Sequence, residues 1–295
     1  MQKKVSFPSG PNILSAVMHI PSDLPAGERR PSIIVIHGFG GNKEGPTHVG
    51  EAKLYESLGY IALRVDMRGC GESGGKPGFI RCEDQVEDVR ATVDWLLQQE
   101  CVRPDAIAVS GQSNGGAIAI YAGSVDNRVA AVISIGGWGN GARKLQWQNR
   151  AEGAWERLQK LLAEGKALRE RTGETLMVKR WDIVPVPEAQ RQFLPPGFVM
   201  DFPIDTPQSI VDFRPEDVCA QIAPRPFLIY HGANDDVTSN AEAIELFRRA
   251  SGAPEVAIFK GGHFPFAAPD ELLDTFMANW LAKNLPLHGS AEGTH

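Results

Sequence analysis

The chain has 295 residues, 42% hydrophobic and 22% charged, with 31 Gly and 21 Pro, a globular composition that excludes disorder over most of its length. A formal net charge of -6 and the lack of any Lys/Arg run argue against a nucleic-acid partner. No window approaches the roughly 18–20 apolar residues that span a bilayer, and the opening Met1 to Gly10 carries no apolar signal segment, so the expectation is a soluble cytoplasmic protein with no membrane partner.

Val5 to Phe7 and Ile13 to Ile20 flank the turn-rich Pro8-Ser9-Gly10-Pro11-Asn12, which predicts an antiparallel hairpin. Four short runs rich in Val and Ile follow: Ile33 to Ile36, Tyr60 to Val65, Ala106 to Val109 and Val129 to Ile135. They are too continuously apolar for half-exposed strands, so they read as strands buried on both faces, as in a parallel sheet. Helical stretches lie between them at Glu51 to Leu58, Asp84 to Gln99 and Asn114 to Ala122, giving repeated βαβ units. The four cysteines, Cys70, Cys82, Cys101 and Cys219, form no CxxC pair and read as free thiols.

The alternation stops at Gly136 and resumes with a strand at Phe227 to Tyr230, a helix at Asn240 to Ala250, a strand at Val256 to Phe259 and a helix at Glu271 to Asn284. Residues 1–137 and 223–287 are therefore expected to form the core, residues 138–222 an inserted cap, and residues 288–295 a disordered tail. Trp138, Trp147, Trp155 and Trp181 fall at or inside the insertion. They form either the cap's own small core or an aromatic roof over a pocket, with Trp138 and Trp147 as the candidate substrate contacts.

Gly111-Gln112-Ser113-Asn114-Gly115 follows one predicted strand and precedes a predicted helix. That is the setting G-x-S-x-G requires, because a sharp strand-to-helix turn exposes the serine hydroxyl and only glycines fit on either side. A serine needs a base and an orienting acid. His231-Gly232-Ala233-Asn234-Asp235-Asp236 and Gly261-Gly262-His263-Phe264 each stand just past a strand, where open α/β sheets gather their sites. Backbone N–H groups must also meet the developing oxyanion. Asn114, after the nucleophile, is one candidate, and Phe39 in His37-Gly38-Phe39-Gly40-Gly41 is the other; His37 is expected to brace that loop. Gly69-Cys70-Gly71-Glu72-Ser73-Gly74 matches G-x-G-x-x-G, but Gly75-Lys76-Pro77-Gly78 continues the loop where a dinucleotide fingerprint needs a helix. No metal or cofactor is implied.

HGFGG, the Asp66-to-Ser73 loop, GQSNGG, HGANDD and GGHF stand in the order seen in the α/β-hydrolase superfamily, which the chain resembles over nearly its full length. The resemblance implies an α/β fold: a mostly parallel sheet covered by helices on both faces, with an N-terminal hairpin and an inserted cap. It is nearest in look to the feruloyl and cinnamoyl esterase, dienelactone-hydrolase-like and prolyl-oligopeptidase-like branch. It departs from dienelactone hydrolases, which use a cysteine nucleophile, and from haloalkane dehalogenases and epoxide hydrolases, which use an aspartate. The family spacing selects Asp235 over Asp236 as the acid, and neighbouring side chains in such a loop point in different directions, so only one can reach. The implied activity is hydrolysis of a small carboxylic ester by Ser113, His263 and Asp235. The same machinery would suit a carbon–carbon diketone hydrolase, an amidase or an aminopeptidase, and the scaffold also supplies ligand receptors.

Overall fold

The computed structural model describes residues 1–185 and 196–288. Strands β1 (Gln2–Ser9) and β2 (Asn12–His19) form the expected antiparallel hairpin. β3 (Arg30–Ile36), α1 (Pro46–Ser57), β4 (Ile61–Val65), α2 (Cys82–Leu96), β5 (Val102–Gln112), α3 (Asn114–Val125) and β6 (Val129–Ile135) then alternate. The segment up to the next sheet strand holds α4 (Gly141–Gln148), α5 (Ala154–Thr172), β7 (Met177–Lys179), α6 (Arg180–Ile183), β8 (Asp201–Pro203) and α7 (Asp205–Asp212). The chain finishes with β9 (Phe227–Gly232), α8 (Asn240–Arg249), β10 (Glu255–Phe259) and α9 (Glu271–Asn284).

The main sheet has eight strands in the order β1-β2-β4-β3-β5-β6-β9-β10, with β7 and β8 paired separately. Within the eight-stranded sheet only the described pairs made by β2 are antiparallel; β4, β3, β5, β6, β9 and β10 run parallel, and β7 pairs with β8 antiparallel. Alternate residues of one strand feed opposite layers. Ile34 and Ile36 join the core under α2 and α3, while Ile33 and Val35 join the one under α1 and α9. β-branched side chains suit strands covered on both sides, which is why the apolar runs were legible. The last seven residues, 289–295, where disorder was expected, lie outside the described residues.

Two loops at the carboxyl ends of strands are fixed by buried charge. Lys43 is 1% exposed, and its ammonium meets Asp66 Oδ2 at 2.7 Å and Glu72 Oε2 at 2.6 Å. The Glu72 N–H donates to the same Asp66 oxygen at 2.8 Å. The glycine-rich run wraps this carboxylate: Gly71 has φ 53°, and a Cβ there would stand 2.2 Å from Asp66 Oδ2. Its glycines thus serve a tight turn around an ion pair, and the next helix does not start until Cys82. Arg68 is held similarly, donating to Asp88 Oδ1 from Nη2 at 2.7 Å.

One carboxyl group lies wholly inside. Glu51 of α1 is 0% exposed and accepts from Tyr55 Oη at 2.9 Å and from Ser110 Oγ of β5. Burial raises its pKa to about 7, against the two hydrogen bonds, which lower it. A folded-state pKa above the unfolded value of 4.5 means that folding takes up a proton. The stabilisation is full below pH 4.5 and is lost as pH rises through 7. Glu51→Gln keeps the acceptor and cannot ionise. Chemical denaturation at pH 5 and pH 8.5 should show the wild type losing about 2–3 kcal/mol more than Glu51→Gln over that interval; parallel losses would contradict the assignment.

Candidate active site

The strand-to-helix turn between β5 and α3 holds Ser113 at φ 56° and ψ -118°. Only Ser113 and Phe266 among described non-glycine residues have positive φ. The turn is this tight because the glycines two positions away permit contact. A Cβ on Gly111 would stand 2.0 Å from the Gly115 carbonyl oxygen, and one on Gly115 would stand 2.6 Å from that of His37. Any side chain at either position would therefore push strand and helix apart.

The Ser113 N–H donates to Ile135 O of β6 at 2.8 Å, so it cannot also serve an oxyanion. The next N–H, of Asn114, opens α3, where first-turn donors have no intrahelical acceptor and the helix dipole favours negative charge. Asn114 is buried, and its side-chain amide donates to Gln85 Oε1 at 3.2 Å. The loop after β3 lies against the serine: a Cβ on Gly38 would be 3.4 Å from Ser113 Cβ. His37 braces this loop as expected, with Nδ1 against Gly38 O at 2.8 Å and Nε2 accepting the Met67 N–H at 3.1 Å. The Phe39 ring stacks on Phe202 of β8 at 4.6 Å between centroids.

His263 and Asp235 meet directly. Nδ1 is 2.7 Å from Asp235 Oδ2, and both residues are buried. The other carboxylate oxygen, Oδ1, accepts the N–H groups of Val237 and Thr238, each at 2.8 Å. Burial alone would raise the Asp235 pKa, but the His263 bond and charge with the two N–H groups hold it below the ordinary carboxylate range. The acid therefore stays ionised at neutral pH and fixes an Nδ1–H imidazole with Nε2 free to accept. Asp236 is exposed. Gln112 Nε2 donates to His263 O at 2.8 Å, and a Cβ on Gly136, the residue after Ile135, would lie 3.3 Å from His263 Nδ1. His263, from the loop after β10, and Asp235, from the loop after β9, thus meet over the carboxyl end of β6, with Gln112, the residue before Ser113, bonded to the His263 backbone.

The four insertion tryptophans do not behave alike. Trp138 is 0% exposed, with its ring edge on Phe213; as a core residue it corrects the expectation of a substrate contact, because nothing is left of its surface to meet a ligand. Trp147, Trp155 and Trp181 are half-buried, Trp147 with the Arg150 guanidinium 4.0 Å over its ring. Three further residues escaped the sequence reading. Arg180 of α6 donates to Phe39 O at 2.8 Å. His231 sits 3.5 Å from Asp235 Oδ2 while its Nε2 meets Thr238 O at 2.9 Å, and burial lowers its pKa, so it remains neutral beside the acid. Gln112 was read only as a spacer. For His231 the signal was its place as the first residue of HGANDD; a lone arginine in an irregular insertion gives none.

The family described as X-Pro dipeptidyl-peptidase (S15 family) matches residues 13–265. Thiohydrolase aneE of Aspergillus aculeatus is 37% identical over 106 residues, 36% of this chain and 33% of that protein; the chain spans about a third of the length of the curated relatives it first matches. The α/β hydrolase GrgF from Penicillium sp. sh18 superposes with a TM-score of 0.79 at 21% identity, covering 97% of this chain and 99% of that one. Est1E from Butyrivibrio proteoclasticus, solved with ferulic acid, superposes at 0.67 with 20% identity, covering 95% and 98%. At these identities the structures establish the α/β-hydrolase fold.

Asp235→Asn would present an amide N–H to His263 Nδ1 and force the other tautomer. Fluorophosphonate labelling of Ser113 should slow by on the order of 10⁴, with Asp236→Asn within a few-fold of wild type. The reverse ranking would shift the loop register by one.

Proposed function

The chain belongs to the X-Pro dipeptidyl-peptidase (S15) family of hydrolases, and on that premise we propose that it is a serine hydrolase cleaving a small carboxylic ester through an acyl-enzyme. The observation that carries this reading is the 2.7 Å bond between His263 Nδ1 and Asp235 Oδ2 beside a serine held at φ 56°. Ser113 Oγ attacks the carbonyl carbon while His263 Nε2 takes its proton. Asp235 stabilises the imidazolium, and the Asn114 and Phe39 N–H groups receive the oxyanion. The imidazolium then protonates the departing alkoxide. Water, deprotonated by the same nitrogen, releases the acid and restores Ser113.

Residues 138–222 act in this reading as the lid and Trp147 as a pocket wall. No described helix is long and apolar enough to cross a membrane. All four cysteines are unpaired, which fits the reducing cytoplasm we assign. A relative named a thiohydrolase makes a thioester the natural second substrate, while the family description raises a peptide bond as the rival.

A fluorophosphonate should modify Ser113 in the wild type and nothing in Ser113→Ala. In a panel of p-nitrophenyl esters, an acyl thioester, an Xaa-Pro anilide and a vinylogous diketone, the oxygen esters should show the highest kcat/KM. Anilide or diketone turnover above that of every ester would reassign the bond, and labelling that persists in Ser113→Ala would remove the nucleophile.

A further inference from the structure

The run from Lys260 to Asp270 joins β10 to α9 without forming an element of its own. It carries His263, and few bonds hold it. At one end Gly261 O accepts the Asn234 N–H at 2.8 Å. At the other, Asp270 Oδ1 accepts the Leu272 and Leu273 N–H groups at 3.0 and 3.2 Å, and the Phe266 side chain is buried in the layer under α1 and α9. From Gly262 to Pro269 the hydrogen bonds to other described residues are two, and His263 makes both.

These two bonds constrain different things. Asp235 grips the ring: its Oδ2 lies 2.7 Å from Nδ1, which fixes the tautomer and the direction of the imidazole. Asp235 stands in the loop after β9 and His263 in the loop after β10, so this bond alone does not fix the histidine relative to β5. Gly136 limits the ring on one side only, because a close contact resists approach and not departure; a Cβ there would be 3.3 Å from Nδ1. The second bond supplies the missing constraint. Gln112 is the last residue of β5, is 2% exposed and is covalently joined to Ser113; its Nε2 donates to His263 O at 2.8 Å. One side chain and one hydrogen bond thus connect the nucleophile's own strand to the main chain of the base.

We propose that Gln112 is a positioning residue: its amide sets how far His263 stands from the Ser113 hydroxyl, and it acts on proton transfer through His263, leaving substrate binding alone. The proposal rests on the serine-hydrolase reading and adds to it a task for the residue between glycine and serine in the G-x-S-x-G turn. Magnitudes favour an effect on rate. A neutral hydrogen bond contributes modestly to stability, whereas a displacement of about 1 Å between reacting groups can slow a reaction about a hundredfold. A donor that only satisfied a buried carbonyl would behave differently, costing stability with no dependence on the imidazole.

Gln112→Met tests it, since methionine keeps the length and volume of the side chain and has no proton to donate. Hydrolysis of p-nitrophenyl acetate should lose about tenfold to a hundredfold in kcat with KM within about twofold of wild type, and fluorophosphonate labelling of Ser113 should slow in step with kcat. The deciding measurement is the same change made in His263→Ala. There the bond has no base left to place, so adding Gln112→Met should alter the residual labelling rate by less than about twofold. Thermal melting checks that each variant is folded, and Gln112→Leu, equally unable to donate, repeats the test if the methionine variant is not. An unchanged kcat, a loss carried by KM, an equal loss in the His263→Ala background, or failure of both Gln112 variants to fold would each overturn the assignment. Failure of the hydrolase reading is separately visible as absent Ser113 labelling in the wild type.

Discussion

Where β5 gives way to α3, two backbone segments approach so closely that neither Gly111 nor Gly115 can carry a side chain, and Ser113 between them takes a positive φ. For a residue with a Cβ this costs about 1–2 kcal/mol. The surrounding structure holds it there. The Ser113 N–H is committed to β6, the loop after β3 closes over its Cβ, and the side chain before it holds the His263 backbone. The site's geometry therefore follows from strand order: β3, β5, β6 and β9 are consecutive neighbours in the sheet, so their carboxyl ends bring the Phe39 loop, Ser113, Gly136 and Asp235 into one small region.

Described residues of the segment between β6 and β9 are hydrogen-bonded to this frame. Thr206 Oγ1 donates to Gly78 O at 2.9 Å and Ser209 Oγ accepts the Cys82 N–H at 3.0 Å, tying α7 to the start of α2. Glu242 of α8 accepts the Gly139 N–H at 2.9 Å and Arg180 holds the Phe39 carbonyl. These bonds cross from insertion to body at several well-separated points. Side chains anchored in this way are held in place before any ligand arrives, which favours selectivity from pre-set chemistry over adaptation.

What could be read from the sequence was whatever chemistry is local. The hairpin followed from Pro8 to Asn12 between two apolar runs, the parallel sheet from uninterrupted Val and Ile, and the elbow from glycines at fixed offsets around Ser113. Asp235 and His263 could be singled out because each lies within a few residues of a strand end, with the family spacing choosing Asp235 over Asp236, and the structure joins the two by a hydrogen bond. Trp138 was misplaced because an aromatic at the edge of an insertion carries no mark of which way it faces, and Phe213, which covers it, is far along the chain. Arg180 stayed hidden for a related reason: its acceptors are carbonyls of Phe39 and Val199, and a carbonyl leaves no trace in a sequence.

The sheet order also sets a schedule for synthesis. β1 to β6 lie within the first 135 residues and can pair as they emerge, but β9, which covers the open edge of β6, follows about 90 residues later. At common ribosomal rates that interval is on the order of ten seconds. During it a nearly complete parallel sheet presents the unpaired edge of a strand made almost wholly of Val, Ile and Ala. An exposed apolar edge templates pairing with other chains, so the nascent protein passes an aggregation-prone stage with Ser113 already made and Asp235 and His263 still to come.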